Sequence, residues 1–178
     1  MQPKENVLKK LYPVIIVTIV VFASVNFLSY ANRFTEPKIK AQEEAGSMAP
    51  LKVFFPEMTS FNLENDVYTI LADGKTVGYA FKATGTGYHG EISIMVALQD
   101  ATTVKGIAIV SQSETAGLGD RVRLPSFTDK FINQKIEDIK LKSDGGQIDG
   151  ITGSTISSRA VVEAVRNTAL ERVKALPK

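Results

Sequence analysis

The chain has 178 residues, 44% of them hydrophobic, and a net charge of +2, with 18 Lys and Arg balancing 18 Asp and Glu over residues 32–178. No basic surface is therefore available to bind nucleic acid. Cysteine is absent and His89 is the sole histidine, which excludes disulfides, iron–sulfur ligation and thiol catalysis, so redox chemistry would need an organic cofactor.

Residues 11–31 form an uncharged apolar run behind a short tail, residues 1–10. A helix rising ~1.5 Å per residue would span roughly 30 Å, the thickness of the bilayer core. We predict a single transmembrane helix here. A cleaved signal peptide is the alternative, although the run exceeds the ~7–15 apolar residues usual for a signal, and a buried core helix is a third option. Lys and Arg are equally frequent on the two sides, so charge counts leave the orientation open.

Residues 32–50 are polar and predict a short stalk, in which Gly46, Ser47 and Pro50 should break the helical pattern. The remaining residues, 51–178, should form one compact domain.

Within this domain, residues 67–71 and 76–83 flank Asp73-Gly74, which is a typical hairpin turn. Alternating apolar residues predict further strands over 92–98 and 104–110. The short connections favour antiparallel pairing.

Two helices are expected after the strands. Ser126 can cap a short helix that places Phe127 and Phe131 on one face. Residues 156–174 have the apolar stripe of an amphipathic helix. The predicted fold class is therefore α+β, a twisted antiparallel sheet packed with helices.

Residues 85–90 match the pattern G-x-G-x-x-G of dinucleotide-binding proteins. That fingerprint needs a helix opening at its third glycine. Residues 91–96 alternate with a period of two instead, so we reject a dinucleotide site. We interpret His89 as a loop residue, with a cofactor contact as the alternative.

A second glycine-rich segment, Asp149 to Ser158, directly precedes the last predicted helix. One hydroxyl suffices to cap a helix, yet this segment has five: Thr152, Ser154, Thr155, Ser157 and Ser158. Free N–H groups and the helix dipole also suit a phosphate at such a place. The residues alone leave a helix cap and a phosphate site as equal alternatives.

The same segment resembles the flavinylation motif D-x-x-[ST]-G-A-[ST]-x-[ST] of the FMN-binding domain family. Thr152-Gly153 matches the [ST]-G pair, Thr155 the flavin-accepting position and Ser157 the closing hydroxyl, with Ile156 between them. Ser154 departs from the pattern, since the family usually has Ala there. The resemblance leaves Asp149 as a turn residue, a recognition residue for a transferase or a neighbour of the flavin.

A further match covers Ser113 to Gly119, which is similar to the family's E-T-P-G-L-G loop, with Ala116 in place of Pro. The candidate cofactor contacts in this loop are Glu114, Thr115, Gly117, Leu118 and Gly119. The glycines would let the backbone approach a flat ring closely, and Leu118 would cover it. Gly87-Tyr88 followed by Gly90 resembles the family's glycine-tyrosine-glycine segment.

With the single predicted span, the chain resembles the G subunits of the Rnf electron-transport complex. The related C subunits of the sodium-pumping NADH:quinone oxidoreductase share the motif but are usually longer. The resemblance implies FMN joined by a phosphoester bond to Thr155, attached by a separate flavin transferase that uses FAD and a divalent metal such as Mg.

It further implies an electron-carrying subunit that works with other subunits of a membrane complex, which couples electron transfer from ferredoxin to NAD to ion translocation. The protein would be anchored in the cell (inner) membrane with its C-terminal domain outside the cytoplasm, and no complete active site is expected in the isolated chain. Two alternatives stay open: a membrane-anchored scaffold or binding module without covalent cofactor, and a flavin reductase with dissociable FMN.

Overall fold

A computed structural model describes the backbone of residues 5–176 and the side chains of residues 11–27, 29–30 and 49–176. The structure does not describe residues 1–4 of the predicted tail or residues 177–178 of the predicted domain. It also does not describe the side chains of residues 28 and 31 in the predicted span and of residues 32–48 in the predicted stalk. The chain divides into two compact units, Met1–Glu44 and Ala45–Lys178.

The first helix, α1, spans Glu5–Phe54 and therefore continues through the stretch predicted as a stalk. The break expected at Gly46, Ser47 and Pro50 does not occur. Leu51, in the last turn of this helix, is fully buried, as is Phe55 just beyond it, and such tertiary burial overrides weak intrinsic helix propensity. Across the residues with described side chains, the helices contain no stretch that is both long and apolar enough to cross a bilayer.

The second unit contains a five-stranded antiparallel sheet in which each strand pairs with the next along the chain. The strands are β1 (Ser60–Glu64), β2 (Val67–Ala72), β3 (Lys75–Thr86), β4 (Glu91–Leu98) and β5 (Val104–Gln112). Asp73 and Gly74 join β2 to β3 with φ values of +50° and +76°, as a tight hairpin turn requires. The α+β prediction with an antiparallel sheet is confirmed.

The last helix, α3 (Thr155–Arg172), covers one face of this sheet. Val161, Val165 and Ala169 form its fully buried stripe. The other face, at Ala80 and Ala97, packs in one cluster with the two buried side chains from the end of α1. The sheet is thus covered on both faces, and α3 begins where the strand-connecting loops lie.

A short helix, α2 (Pro125–Thr128), lies between β5 and α3. The prediction that Ser126 caps it is wrong: the cap position is Leu124, with Pro125 at the first helical position. Proline suits that position because the N–H it lacks would have no helical partner anyway. Phe127 and Phe131 are buried with their ring centroids 5.6 Å apart, so the predicted apolar face exists.

Candidate functional site

The two glycine-rich loops singled out in the sequence line a single cavity of about 460 Å³. One loop follows β5, the other opens α3, and the turn between β3 and β4 contributes Tyr88. A volume of this size lies within the ~300–1,000 Å³ typical of small-molecule sites. Three segments distant in sequence therefore build one concave site.

Most of the predicted site residues line this cavity. They are Glu114, Thr115, Leu118, Gly119, Gly153, Ser154, Thr155, Ile156 and Ser157. The predicted residues Thr152 and Gly117 are not among the lining residues. Gly117 instead allows the loop to turn, since its φ is +77°, a conformation that residues with a Cβ rarely adopt.

Tyr88 is the lining residue that the candidate set omitted. Its side chain is 70% exposed, and its ring centroid lies 5.6 Å from that of His89. A signal was present, because Tyr88 stands in the third segment that resembles the family. What the sequence could not tell is that the β3–β4 turn reaches the two loops.

Glu114 holds these three segments together. Its side chain is only 8% exposed; Oε2 accepts a hydrogen bond from Ser157 Oγ at 2.5 Å, and Oε1 accepts one from the His89 backbone N–H at 2.8 Å. Burial by itself would raise the pKa of Glu114, but hydrogen bonds from Ser157, His89 and Tyr88 outweigh it and lower the pKa below its ordinary value. The carboxylate is therefore ionised at neutral pH.

Glycines leave the space that this carboxylate fills. A Cβ on Gly87 would collide with Glu114 Oε1, and one on Gly119 would collide with Glu114 Oε2. Gly85 has another role: a Cβ there would lie 2.5 Å from the carbonyl oxygen of Ala160, so this glycine lets α3 approach β3. The G-x-G-x-x-G pattern thus serves packing, and strand β4 follows it, as the rejection of a dinucleotide site predicted.

The hydroxyl groups at the start of α3 differ in their surroundings. Ser154 occupies the N-cap position, but its side chain makes no capping hydrogen bond; it is 6% exposed, and its buried Oγ has no hydrogen-bond partner. Ser157 donates to Glu114, and Ser158 Oγ accepts from the Ile151 N–H at 2.9 Å. Among these hydroxyls, Thr155 alone combines an exposed side chain with a place in the cavity wall.

Comparison with known proteins identifies the family. Residues 87–170 match the family model described as FMN-binding domain. Over 178 aligned residues the chain is 31% identical to the G subunit of the ion-translocating oxidoreductase complex of Vibrio vulnificus, with 85% of this chain and 84% of the relative covered. The chain belongs to this G-subunit family. The corresponding protein of Methanosarcina acetivorans is 29% identical, with 90% of this chain and 94% of the relative covered.

A solved structure supports the fold of this family member. The crystal structure of the C subunit of Na⁺-translocating NADH-quinone reductase from Parabacteroides distasonis aligns with a TM-score of 0.52 and 27% identity, covering 63% of each chain. Every residue that lines the cavity, from Tyr88 to Ser157, falls within the range that matches the FMN-binding domain.

Asp149 of this family member lies away from the cavity wall. Its side chain is 57% exposed and pairs with Lys142 Nζ at 2.9 Å, while Lys130 Nζ donates to its backbone carbonyl at 3.0 Å. The hydrogen bond and charge of Lys142 lower the pKa of Asp149. Of the three roles left open by the sequence, these contacts fit a turn or recognition residue better than a neighbour of the cofactor.

Proposed function

We propose that this chain carries FMN joined through its phosphate to Thr155 Oγ1, and that it acts as an electron-carrying subunit of an ion-translocating oxidoreductase complex. The observation that carries the proposal is the position of Thr155, whose exposed side chain stands in the cavity wall at the first residue of an 18-residue helix.

The cavity suits the two ends of FMN differently. Free N–H groups of the first turn of α3 can receive the phosphate, since no side chain caps that turn. Away from the helix, the wall offers the side chains of Tyr88 and Leu118, both exposed, to a flat ring. The flavin, when bound, supplies the electron-carrying chemistry, and the chain holds and orients it.

The arrangement of hydroxyl groups favours Thr155 over its neighbours as the attachment point. Ser154 is buried, and the Ser157 hydroxyl already donates a hydrogen bond to Glu114. Within residues 49–176, no side chain is placed as a base on the Thr155 hydroxyl, and such a hydroxyl is a weak nucleophile when unassisted. We therefore assign the reaction to a separate flavin transferase with a divalent metal such as Mg. The Thr155 O–P bond would form as the phosphoanhydride bond of FAD breaks, AMP leaves and the hydroxyl proton is released.

The proposal is tested by intact-mass measurement of denatured protein, co-expressed with a flavin transferase. Wild type should gain the mass of one FMN, and Thr155→Ala should gain none. Ser154→Ala is the matched control, since it removes the adjacent hydroxyl and should leave the gain unchanged. Flavin that leaves on denaturation would favour a reductase with dissociable FMN. A colourless wild type, despite an active transferase, would favour a scaffold module.

Membrane anchoring by residues 11–31 belongs to the same proposal. The apolar side chains with described positions in this segment are exposed, as lipid-facing groups would be. Thr18, Ser24 and Asn26 each donate to the carbonyl four residues earlier, at 2.7–2.8 Å, so these polar groups would have partners in a bilayer without water.

We propose further that the anchor lies in the inner membrane and holds residues 32–178 outside the cytoplasm. The complex would transfer electrons from ferredoxin to NAD and couple this transfer to ion transport. Protease added to intact spheroplasts should then digest these residues. Digestion only after lysis would place them on the cytoplasmic side.

A further inference from the structure

We propose that the Glu114 carboxylate is a fixed negative charge in the wall of the flavin cavity and that it lowers the reduction potential of the bound flavin. This inference rests on the proposed function, and it assigns to Glu114 an effect on the reduction potential of the cofactor.

The carboxylate is held in one place by groups of the chain itself. Ser157 Oγ and the His89 N–H bind its two oxygens from separate segments. Gly87 and Gly119 press against it so closely that neither position has room for a Cβ. A side chain held in this way cannot swing its charge out into water when the cavity is filled.

The charge is also not paired with a Lys or Arg among the described residues. Within residues 49–176, no ion pair joins Glu114 to a Lys or Arg, and His89 is the basic residue in its neighbourhood. Hydrogen bonds from neutral donors stabilise the ionised form without cancelling its charge. The cavity wall thus carries the negative charge of this carboxylate beside the helix start that would receive the phosphate.

Reduction adds an electron to the flavin, and a nearby negative charge opposes that addition. The interaction between two charges falls with distance and with the local dielectric constant, and it is strongest where water is excluded. Because Glu114 is buried, salt in the solvent should screen its effect only weakly. Removing the charge should therefore make the flavin easier to reduce, at low and high ionic strength alike.

The test is the midpoint potential of the covalently loaded protein, measured by spectroelectrochemical titration. Glu114→Gln removes the charge while preserving the contacts: the amide oxygen can accept from the His89 N–H, and the amide N–H₂ can donate to Ser157, whose hydroxyl also accepts. We expect its potential to shift upward relative to wild type, with most of the shift retained in high salt. Glu163→Gln makes the same chemical change at an exposed position on α3 and should leave the potential unchanged.

An unchanged potential in fully loaded Glu114→Gln would overturn the inference, and so would an equal shift in Glu163→Gln. If Glu114→Gln takes up no flavin, the electrostatic argument is tested with Leu118→Lys. This variant places a positive charge at a half-exposed position in the same cavity wall. Its potential should rise, and a constant potential would refute the electrostatic argument. Intact mass is measured first, so a wild type that gains no FMN is recognised separately, as a failure of the proposed function on which this inference rests.

Discussion

Replacing Gly119 by Ala tests whether the cavity depends on the position of Glu114. The added Cβ would collide with Glu114 Oε2 and would lie 2.8 Å from both Glu114 Cβ and Ser157 Oγ. The carboxylate oxygen could rotate away, but Glu114 Cβ can move only with the backbone of its own loop. The substitution should therefore displace the loop from the start of α3 and weaken the bond between Glu114 and Ser157.

Forcing an extra carbon into a filled site typically costs about 1–3 kcal/mol. For a domain of this size, 1 kcal/mol corresponds to about 4 °C in Tm, so Gly119→Ala should melt about 4–12 °C below wild type. Thermal unfolding of the flavin-free protein, followed by circular dichroism, measures this change. Intact mass after co-expression with a flavin transferase should show reduced FMN attachment, because the start of α3 is disturbed.

Gly117→Ala is the matched control in the same loop. Gly117 has a φ of +77° and no atom within 4 Å of the place where a Cβ would lie. Alanine there meets backbone strain of about 1–2 kcal/mol but no collision, so Glu114 should stay in place and FMN attachment should be close to wild type. Equal Tm values for Gly119→Ala and wild type, or normal FMN attachment in Gly119→Ala, would refute the reasoning.

Three further predictions concern the stability of the same domain. Ser158→Ala should cost about 1–3 kcal/mol in urea unfolding, because it leaves the Ile151 N–H without its buried partner. Gly85→Ala should also lower the midpoint of urea unfolding by a clear margin, since the new carbon meets the backbone carbonyl of Ala160, which cannot rotate away. The stability due to the lowered pKa of Glu114 should be complete above the ordinary glutamate pKa of about 4.3 and be lost as the pH falls through the lower folded-state value. The free energies of unfolding of wild type and Glu114→Gln, measured against pH, should therefore converge at the lowest pH. Parallel curves would contradict this.

Strands β2 to β5 could be predicted because alternation and turn residues are local signals. Strand β1 was not predicted. Phe61 and Leu63 alternate with polar residues there, but the strand has only five residues, and all five are exposed at the edge of the sheet, so no buried face distinguishes it from a loop. The start of α2 was misassigned because the hydroxyl of Ser126 and the ring of Pro125 both indicate a helix start, but they favour different positions within it.

The candidate site shows the same division between local and long-range information. Motif residues such as Thr155 and Glu114 stand out in the sequence because their neighbours form short, specific patterns. The hydrogen bond between Glu114 and Ser157 joins residues 43 positions apart, and no local pattern encodes that distance. Thr152 belongs to the motif and yet lies outside the cavity wall, because the chain turns at Gly153, whose φ is +81°.

Composition and local pattern were sufficient to argue against a nucleic-acid partner, to exclude cysteine chemistry, to indicate an antiparallel α+β domain and to identify the family through two short motifs. These properties depend on residue types and on neighbours along the chain. Packing decided which hydroxyl of the second motif is exposed, which carboxylate is buried and ionised, and which turn brings Tyr88 to the cavity. Those properties depend on contacts between segments distant in sequence, so they exist only once β3, the loop after β5 and the start of α3 have come together.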